Sequence, residues 1–229
     1  MAQGMHAHCT LGVFVKLPRP GAVKTRLVPE LGAHAAAELY QALAEAALAA
    51  TEPQDGEYER LVYYSPRDAA EAMRAWLPAG RLRHQSEGDL GERLADAFSR
   101  AFARGARRVA IVGTDVPALT RGVVLEAFAA LETAEVVLGP AHDGGYYLVA
   151  LREPRPGLFR GVSWSSPAVL AETVDRAGAA GLAVARLAPL RDLDTLADLR
   201  AEWPTLERIL AQRPGLLAAV RGAVGAAAG

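Results

Sequence analysis

Short β-branched runs alternate along the chain with longer stretches rich in alanine and leucine. Thr10–Lys16, Arg60–Ser65, Val109–Val112 and Val136–Leu138 are brief and apolar, as strands buried on both faces are, and Leu82–His84 reads as a further short strand. Between them the apolar positions fall into helical periods, which predicts helices over Ala33–Ala50, Arg67–Trp76, Glu92–Arg104 and Val123–Leu131. Strand–helix alternation of this kind predicts an α/β fold with a mostly parallel sheet and helices on both faces. Beyond Gly139 the pattern changes. Tyr146–Leu151 is a strand that comes after only a short connection, so the sheet is expected to be mixed. A helix over Pro167–Ala177, a strand over Leu182–Leu187 and helices after Asp194 complete the pattern. No repeat or long linker interrupts it, so residues 1–229 are expected to form one domain, with Leu216–Gly229 a frayed end.

The charge balance narrows the function. A formal net charge of -1 with no basic block argues against a nucleic-acid partner. Cys9 is the only cysteine, which excludes an internal disulfide. Neither a membrane span nor a leader-like start is evident, so a cytoplasmic protein with no membrane partner is expected.

The most informative stretch runs from Arg108 to Leu119. Its apolar run stops at Gly113-Thr114-Asp115-Val116-Pro117, leaving an acid at the carboxyl end of a buried strand. Ligands of open α/β sheets bind at that edge, and a carboxylate there can hold a divalent cation against phosphate. Asp115 could equally cap the helix that starts near Thr120. Thr114 is grouped with the same candidate nucleotide site.

Three strand-to-helix or strand-to-strand loops add candidates. The first, from Leu17 to Leu27, holds Arg19, Lys24 and Arg26, a basic cluster suited to phosphate. It is not a P-loop, because that motif has glycine at its first position and immediately before its lysine, where this chain has Pro18 and Val23. Of the 25 Lys and Arg residues only Lys16 and Lys24 are lysine, and both lie in or beside this loop. In a chain that otherwise uses arginine, a lysine here points to a site for a compact ammonium, although a solvated loop stiffened by prolines accounts for the same residues. Lys16, Lys24, Thr25 and Arg26 are thus the candidate phosphate and nucleotide contacts, with Lys24, Arg26 and Asp115 as candidate catalytic groups.

The second loop, from Gln85 to Arg93, has glycines that would admit a ligand to the backbone. Gly88, Asp89 and Gly91 could present amides to a nucleotide and Gln85 could read a base edge, or Gly88 and Asp89 could serve only as turn and cap. The third, from Gly139 to Tyr147, makes Asp143, Gly144, Gly145 and Tyr146 candidates for a sugar or second substrate, though Asp-Gly-Gly also suits a plain hairpin. His142 beside it is a candidate general base or a surface residue. Near the end, Asp192 and Asp194 could join Asp115, while Asp194 or Thr195 could instead cap the following helix in an arrangement with Asp198.

Taken in order, Phe14-Val15-Lys16, Pro20 to Leu27, Gly88-Asp89-Leu90-Gly91-Glu92-Arg93, Gly113 to Pro117, Asp143 to Leu148 and Asp192-Leu193-Asp194-Thr195 resemble the DUF2064 family, over about Phe14 to Leu199. That family is glycosyltransferase-like, within the nucleotide-diphospho-sugar transferase superfamily. The resemblance implies a GT-A type, Rossmann-like mixed sheet with a nucleotide and Mg²⁺ or Mn²⁺ at its carboxyl edge. It implies Asp115 and Asp194 as metal ligands and Lys24 and Arg26 as phosphate contacts. The chain lacks both the glycine-rich first loop of many sugar nucleotidyltransferases and the full Asp-x-Asp of many glycosyltransferases. The activity implied is that of a metal-dependent transferase joining a nucleotide-activated substrate to a small-molecule acceptor. Glycosyl transfer from a nucleotide sugar is favoured, and nucleotidyl transfer from an NTP or an inactive nucleotide-binding protein are the alternatives.

Overall fold

The computed structural model describes residues 8–226. The chain runs β1 (Cys9–Lys16), α1 (Val28–Leu31), α2 (Ala33–Ala50), β2 (Glu59–Ser65), α3 (Ala70–Trp76), β3 (Leu82–His84), α4 (Leu90–Ala103) and β4 (Arg108–Val112). It continues α5 (Arg121–Ala130), β5 (Val136–Pro140), β6 (Tyr146–Leu151), α6 (Val169–Ala179), β7 (Val184–Arg186), α7 (Leu196–Ala201), α8 (Trp203–Leu210) and α9 (Pro214–Ala226).

The strands form one seven-stranded sheet in the order β3-β2-β1-β4-β6-β5-β7. β6 is antiparallel to β4 and β5, and every other pairing is parallel. The sheet is therefore mixed and mostly parallel, as the short connection before Tyr146 predicted. β1 and β4 are neighbours in parallel, so their carboxyl ends open side by side.

Alternation along these strands feeds two cores. Leu11, Val13, Val15, Ala110 and Val112 pack with Ala47 and Leu48 of α2, Met73 of α3 and Phe128 of α5. Val109, Ile111, Leu61 and Tyr63 pack on the opposite face with Phe98 of α4, Ala177 of α6 and Phe159 of the turn before α6. Helices cover both faces because both faces are apolar. Each fully buried side chain such as Phe98 or Phe128 contributes about 1.5–3 kcal/mol from burial alone.

A third cluster attaches the end of the chain to α2. Leu39 and Leu43 meet Leu193, Leu199, Leu206 and Leu210 there, and Leu216 and Val220 of α9 complete it. This corrects the expectation of a frayed end from Leu216. Pro214 opens a helix whose apolar stripe is buried, Leu216 at 5% and Val220 at 0% exposure, and residues 227–229 lie outside the described residues. Other boundaries shift by a few residues: α4 begins at Leu90, not Glu92, and the last strand spans only Val184–Arg186. Among the described residues, no helix is long and apolar enough to cross a membrane.

Candidate functional site

The carboxyl ends of β1 and β4 open into a cleft of about 560 Å³. Of the sequence candidates, Lys16, Lys24, Thr25, Arg26, Gln85, Thr114, Asp115, Tyr146 and Asp194 border it. Chain order alone would not bring them together. The loop after β1 folds back so that Lys24 takes a left-handed backbone, φ 48 and ψ 41, at the head of the turn Thr25–Leu27. Val23 and Leu27 on either side are buried at 4% and 0% exposure and fix that turn.

Lys24 is the centre of the site. Its side chain is 3% exposed, and Nζ lies 2.5 Å from Asp115 Oδ1 and 3.0 Å from Asp194 Oδ1. Burial works to lower the ammonium's pKa, but the charges of Asp115 and Asp194 outweigh it and the net shift is upward. Lys24 is thus held charged. Arg26 stands outside, 64% exposed, with Nη1 3.4 Å from Asp194 Oδ2.

The acids are free of the capping duties they were candidates for. α5 is capped by Thr120, whose Oγ1 accepts from Val123 N at 3.3 Å, so Asp115 is not its cap. α7 is capped by Thr195, which accepts from Asp198 N while Asp198 accepts from Thr195 N at 2.8 Å. Asp194 is left to face Lys24. Asp192 does not join the pair. Burial, then the charge of Asp143, pushes its carboxyl up to about 6.

Tyr40 on α2 braces the floor. Its Oη accepts from Lys16 N at 2.7 Å and lies 3.4 Å from Thr114 Oγ1, joining β1, α2 and the end of β4. Burial, then the nearby charge of Asp115, pushes its phenol up to about 12. No sequence signal marks this role, since Tyr40 sits in an alanine-rich helix where it reads as packing. Gln85 donates Nε2 to Tyr63 O at 2.9 Å and Val15 O at 3.3 Å, which commits its nitrogen to the protein.

The two glycine loops depart from expectation. Gly88, Asp89 and Gly91 do not border the cleft. Asp89 caps α4 in a reciprocal box with Glu92, and Gly91 packs so tightly that a Cβ would stand 2.3 Å from Phe159 O. The wall is made instead by Leu90, Arg93 and Leu94, spaced to share one helical face. Asp143, Gly144 and Gly145 likewise form the β5–β6 turn: Asp143 Oδ1 accepts from Gly145 N at 2.8 Å, and Gly144, at φ 89, lies against Pro167. Tyr146 alone of that group borders the cleft, edge-on to Trp164 with ring centroids 6.4 Å apart. His142 is exposed and does not border it.

Residues 48–166 match a family described as uncharacterized proteins conserved in bacteria, DUF2064. A protein from Desulfovibrio desulfuricans, provisionally described as a nucleotide-diphospho-sugar transferase, is 31% identical over 93% of this chain and 98% of its own, with a TM-score of 0.85. The chain belongs to the DUF2064 family. Among more distant structures, a CMP:2-keto-3-deoxy-manno-octonic acid synthetase complexed with CTP aligns at 15% identity and a TM-score of 0.52, over 89% of this chain and 98% of its own. The inositol-1-phosphate CTP transferase from T. maritima aligns at 14% identity and a TM-score of 0.54, over 90% and 97%. At these identities they share the fold of this DUF2064 chain and carry no more than that. No curated relative matches it. Lys24, Arg26 and Asp194 lie outside the matched segment and reach the site only through the fold.

The donor set of this DUF2064 chain does not, as arranged, fit a resident Mg²⁺ or Mn²⁺. Both carboxylates converge on the Lys24 ammonium, and among the described residues no group of three or more His, Cys, Asp or Glu could hold a metal ion. Two carboxylates can serve a Mg²⁺ that keeps waters and takes further oxygens from phosphate, but here the ammonium takes up an oxygen of each.

Proposed function

We propose that this chain is a transferase acting on a nucleotide-activated substrate, and that its reaction is glycosyl transfer from a nucleotide sugar to a small acceptor. The observation that carries the reading is the Lys24 ammonium, charged and buried on Asp115 and Asp194 in a cleft at the carboxyl edge of the sheet. An ammonium has three N–H donors; one is given to Asp194 Oδ1 and the contact with Asp115 is an ion pair. A phosphate oxygen would take a remaining N–H. The relation to the Desulfovibrio desulfuricans protein supports the same class.

In this reading Lys24 and Arg26 meet the diphosphate. As an acceptor hydroxyl bonds to the anomeric carbon and gives its proton to water, the bond from that carbon to the diphosphate oxygen breaks with its electron pair left on the oxygen, and the two cations stabilise the growing charge. Tyr40 holds Lys16 and Thr114 in register beneath them. Gln85 Oε1 would accept from a base N–H, and Tyr146 and Leu90 would border the acceptor. A second reading, nucleotidyl transfer from an NTP, is favoured by the pairing of Lys24 with Arg26, since a triphosphate rewards two cations more.

A thermal-shift screen of NTPs and nucleotide sugars, with Mg²⁺ or Mn²⁺ present, tests the class. A ligand at ~100 times its dissociation constant contributes about 2.7 kcal/mol of stability. Incubation with acceptors then separates the reactions, because glycosyl transfer releases nucleoside diphosphate and nucleotidyl transfer releases pyrophosphate. Binding without turnover would make the chain an inactive nucleotide-binding protein. If no nucleotide stabilises it, the reading is withdrawn.

A further inference from the structure

We propose that Lys24 is the resident cation of this site: its ammonium occupies the position between Asp115 and Asp194 where a divalent ion would bind, so the chain without nucleotide excludes Mg²⁺ and Mn²⁺. The observation is one of geometry. Nζ lies within 3.0 Å of an oxygen from each acid, while the two carboxylates are 43% and 39% exposed and the lysine only 3%. Each acid is part-exposed to the cleft, the Asp115 oxygen that meets Nζ is itself buried, and the position between the acids is filled from the protein side.

The ammonium cannot be withdrawn by a small backbone adjustment. Lys24 is held in the left-handed region, a conformation that a non-glycine residue keeps only where its surroundings impose it. Leu27 N donates to Lys24 O at 2.9 Å, and buried Val23 and Leu27 anchor both sides of the turn. Only rotation of the lysine side chain toward the cleft would free the acids. A bare divalent ion offers the ammonium no new partner and would meet it at contact distance with like charge. A phosphate offers it one. The consequence, which rests on the nucleotide-site reading, is that the ammonium turns from the acids toward a phosphate and not toward a bare ion.

Two measurements made without nucleotide decide the proposal, so its failure and that of the transferase reading are separable. Mn²⁺ is titrated into the full chain and the free ion is read by its EPR signal. The parent should leave the signal as in buffer, Lys24→Met should bind at least about tenfold more tightly, and adding Asp194→Asn should abolish the gain. Parent binding as tight as that of Lys24→Met overturns the proposal, and so does a folded Lys24→Met that gains nothing. The second measurement needs no variant, and it decides the matter where Lys24→Met does not fold. Amine labelling of the parent is followed by mass spectrometry, with exposed Lys16 as the internal reference. Lys24 should label far more slowly than Lys16, with or without Mg²⁺. If Mg²⁺ alone brings Lys24 to the rate of Lys16, the ion displaces the ammonium and the proposal fails.

Discussion

Leu193 N donates to Asp115 O over 2.9 Å, and through this bond the late loop that carries Asp194 is held at the end of β4. The Leu193 side chain, 0% exposed, is sunk in the cluster that joins α2 to the last three helices. One residue thus ties a structural core to the candidate site. Leu193→Ala should cost about 2–5 kcal/mol of stability and lower turnover per folded molecule, because Asp194 loses its seat beside Lys24. Leu199→Ala, in the same cluster, should cost as much stability with turnover per folded molecule unchanged. Denaturant unfolding and active-site-normalised rates measure both. Equal turnover in the two variants would show that Leu193 is packing alone.

Thr195 and Asp194 should separate cleanly, because the structure gives capping to one and the ion pairs to the other. Thr195→Ala removes an acceptor at the first turn of α7 and should cost about 0.5–2 kcal/mol while leaving turnover per folded molecule intact. Asp194→Asn should do the reverse, weakening turnover with a smaller loss of melting temperature. Should Asp194→Asn turn over like the parent, the acid belongs to the loop and not to the chemistry.

The fold was legible because burial imposes its own period. Leu11, Val13 and Val15 on one face and Val109 and Ile111 on the other display the alternation that a doubly covered sheet requires, and the change in connection length before Tyr146 marked the antiparallel strand. Lys24, Asp115 and Asp194 were legible as chemistry, since charged groups at strand ends have few other duties, but not as one ion-paired centre. That contact depends on the Leu193–Asp115 bond between distant segments. The glycine loops misled for a physical reason. Gly91 and Gly144 are small because backbone atoms of Phe159 and Pro167 press on them, and a sequence looks the same whether a glycine admits a ligand or another part of the chain. Tyr40 and the end of the chain were missed through composition: runs of alanine hide both a buried phenol and the stripe of α9.

Gly91→Ala tests that account of the second loop. A methyl there would stand 2.3 Å from Phe159 O and 2.8 Å from Trp164 Nε1, and the backbone oxygen cannot turn aside as a flexible side chain would. The variant should lose about 1–3 kcal/mol, the usual cost of overpacking. Nucleotide affinity, measured by calorimetry on the folded fraction, should change only through movement of the Trp164–Tyr146 pair at the cleft. A variant as stable as the parent that loses nucleotide binding would return Gly91 to the ligand.

Glu45 supplies the test of pH dependence. On α2 its Oε1 accepts from Gln41 Nε2 and from Trp76 Nε1, each at 2.8 Å, and its Oε2 meets Arg213 near the start of α9. Burial raises the carboxyl's pKa, the three donors outweigh it, and the folded value falls below the ordinary 4.5. The unfolded chain therefore takes up its proton first as acid is added, so the stabilisation is fully present above pH 4.5 and is lost as pH falls through the lower folded value. The side chain is 39% exposed, so solvent screening holds the contribution to about 0.5–1 kcal/mol. Asp198, Glu135 and Glu172 are also depressed and titrate in the same direction, so parent and Glu45→Gln must be compared at each pH and not against pH 7 alone. An amide keeps acceptors for Gln41 and Trp76 but loses the charge opposite Arg213. Glu45→Gln should thus melt below the parent at neutral pH, with the gap closing as pH drops beneath 4.5 and shrinking in molar salt. A gap independent of pH and salt would assign Glu45 to packing and hydrogen bonding, and the attachment of α9 to α2 would rest on the leucine cluster and on the bond from Arg213 to Glu38 O.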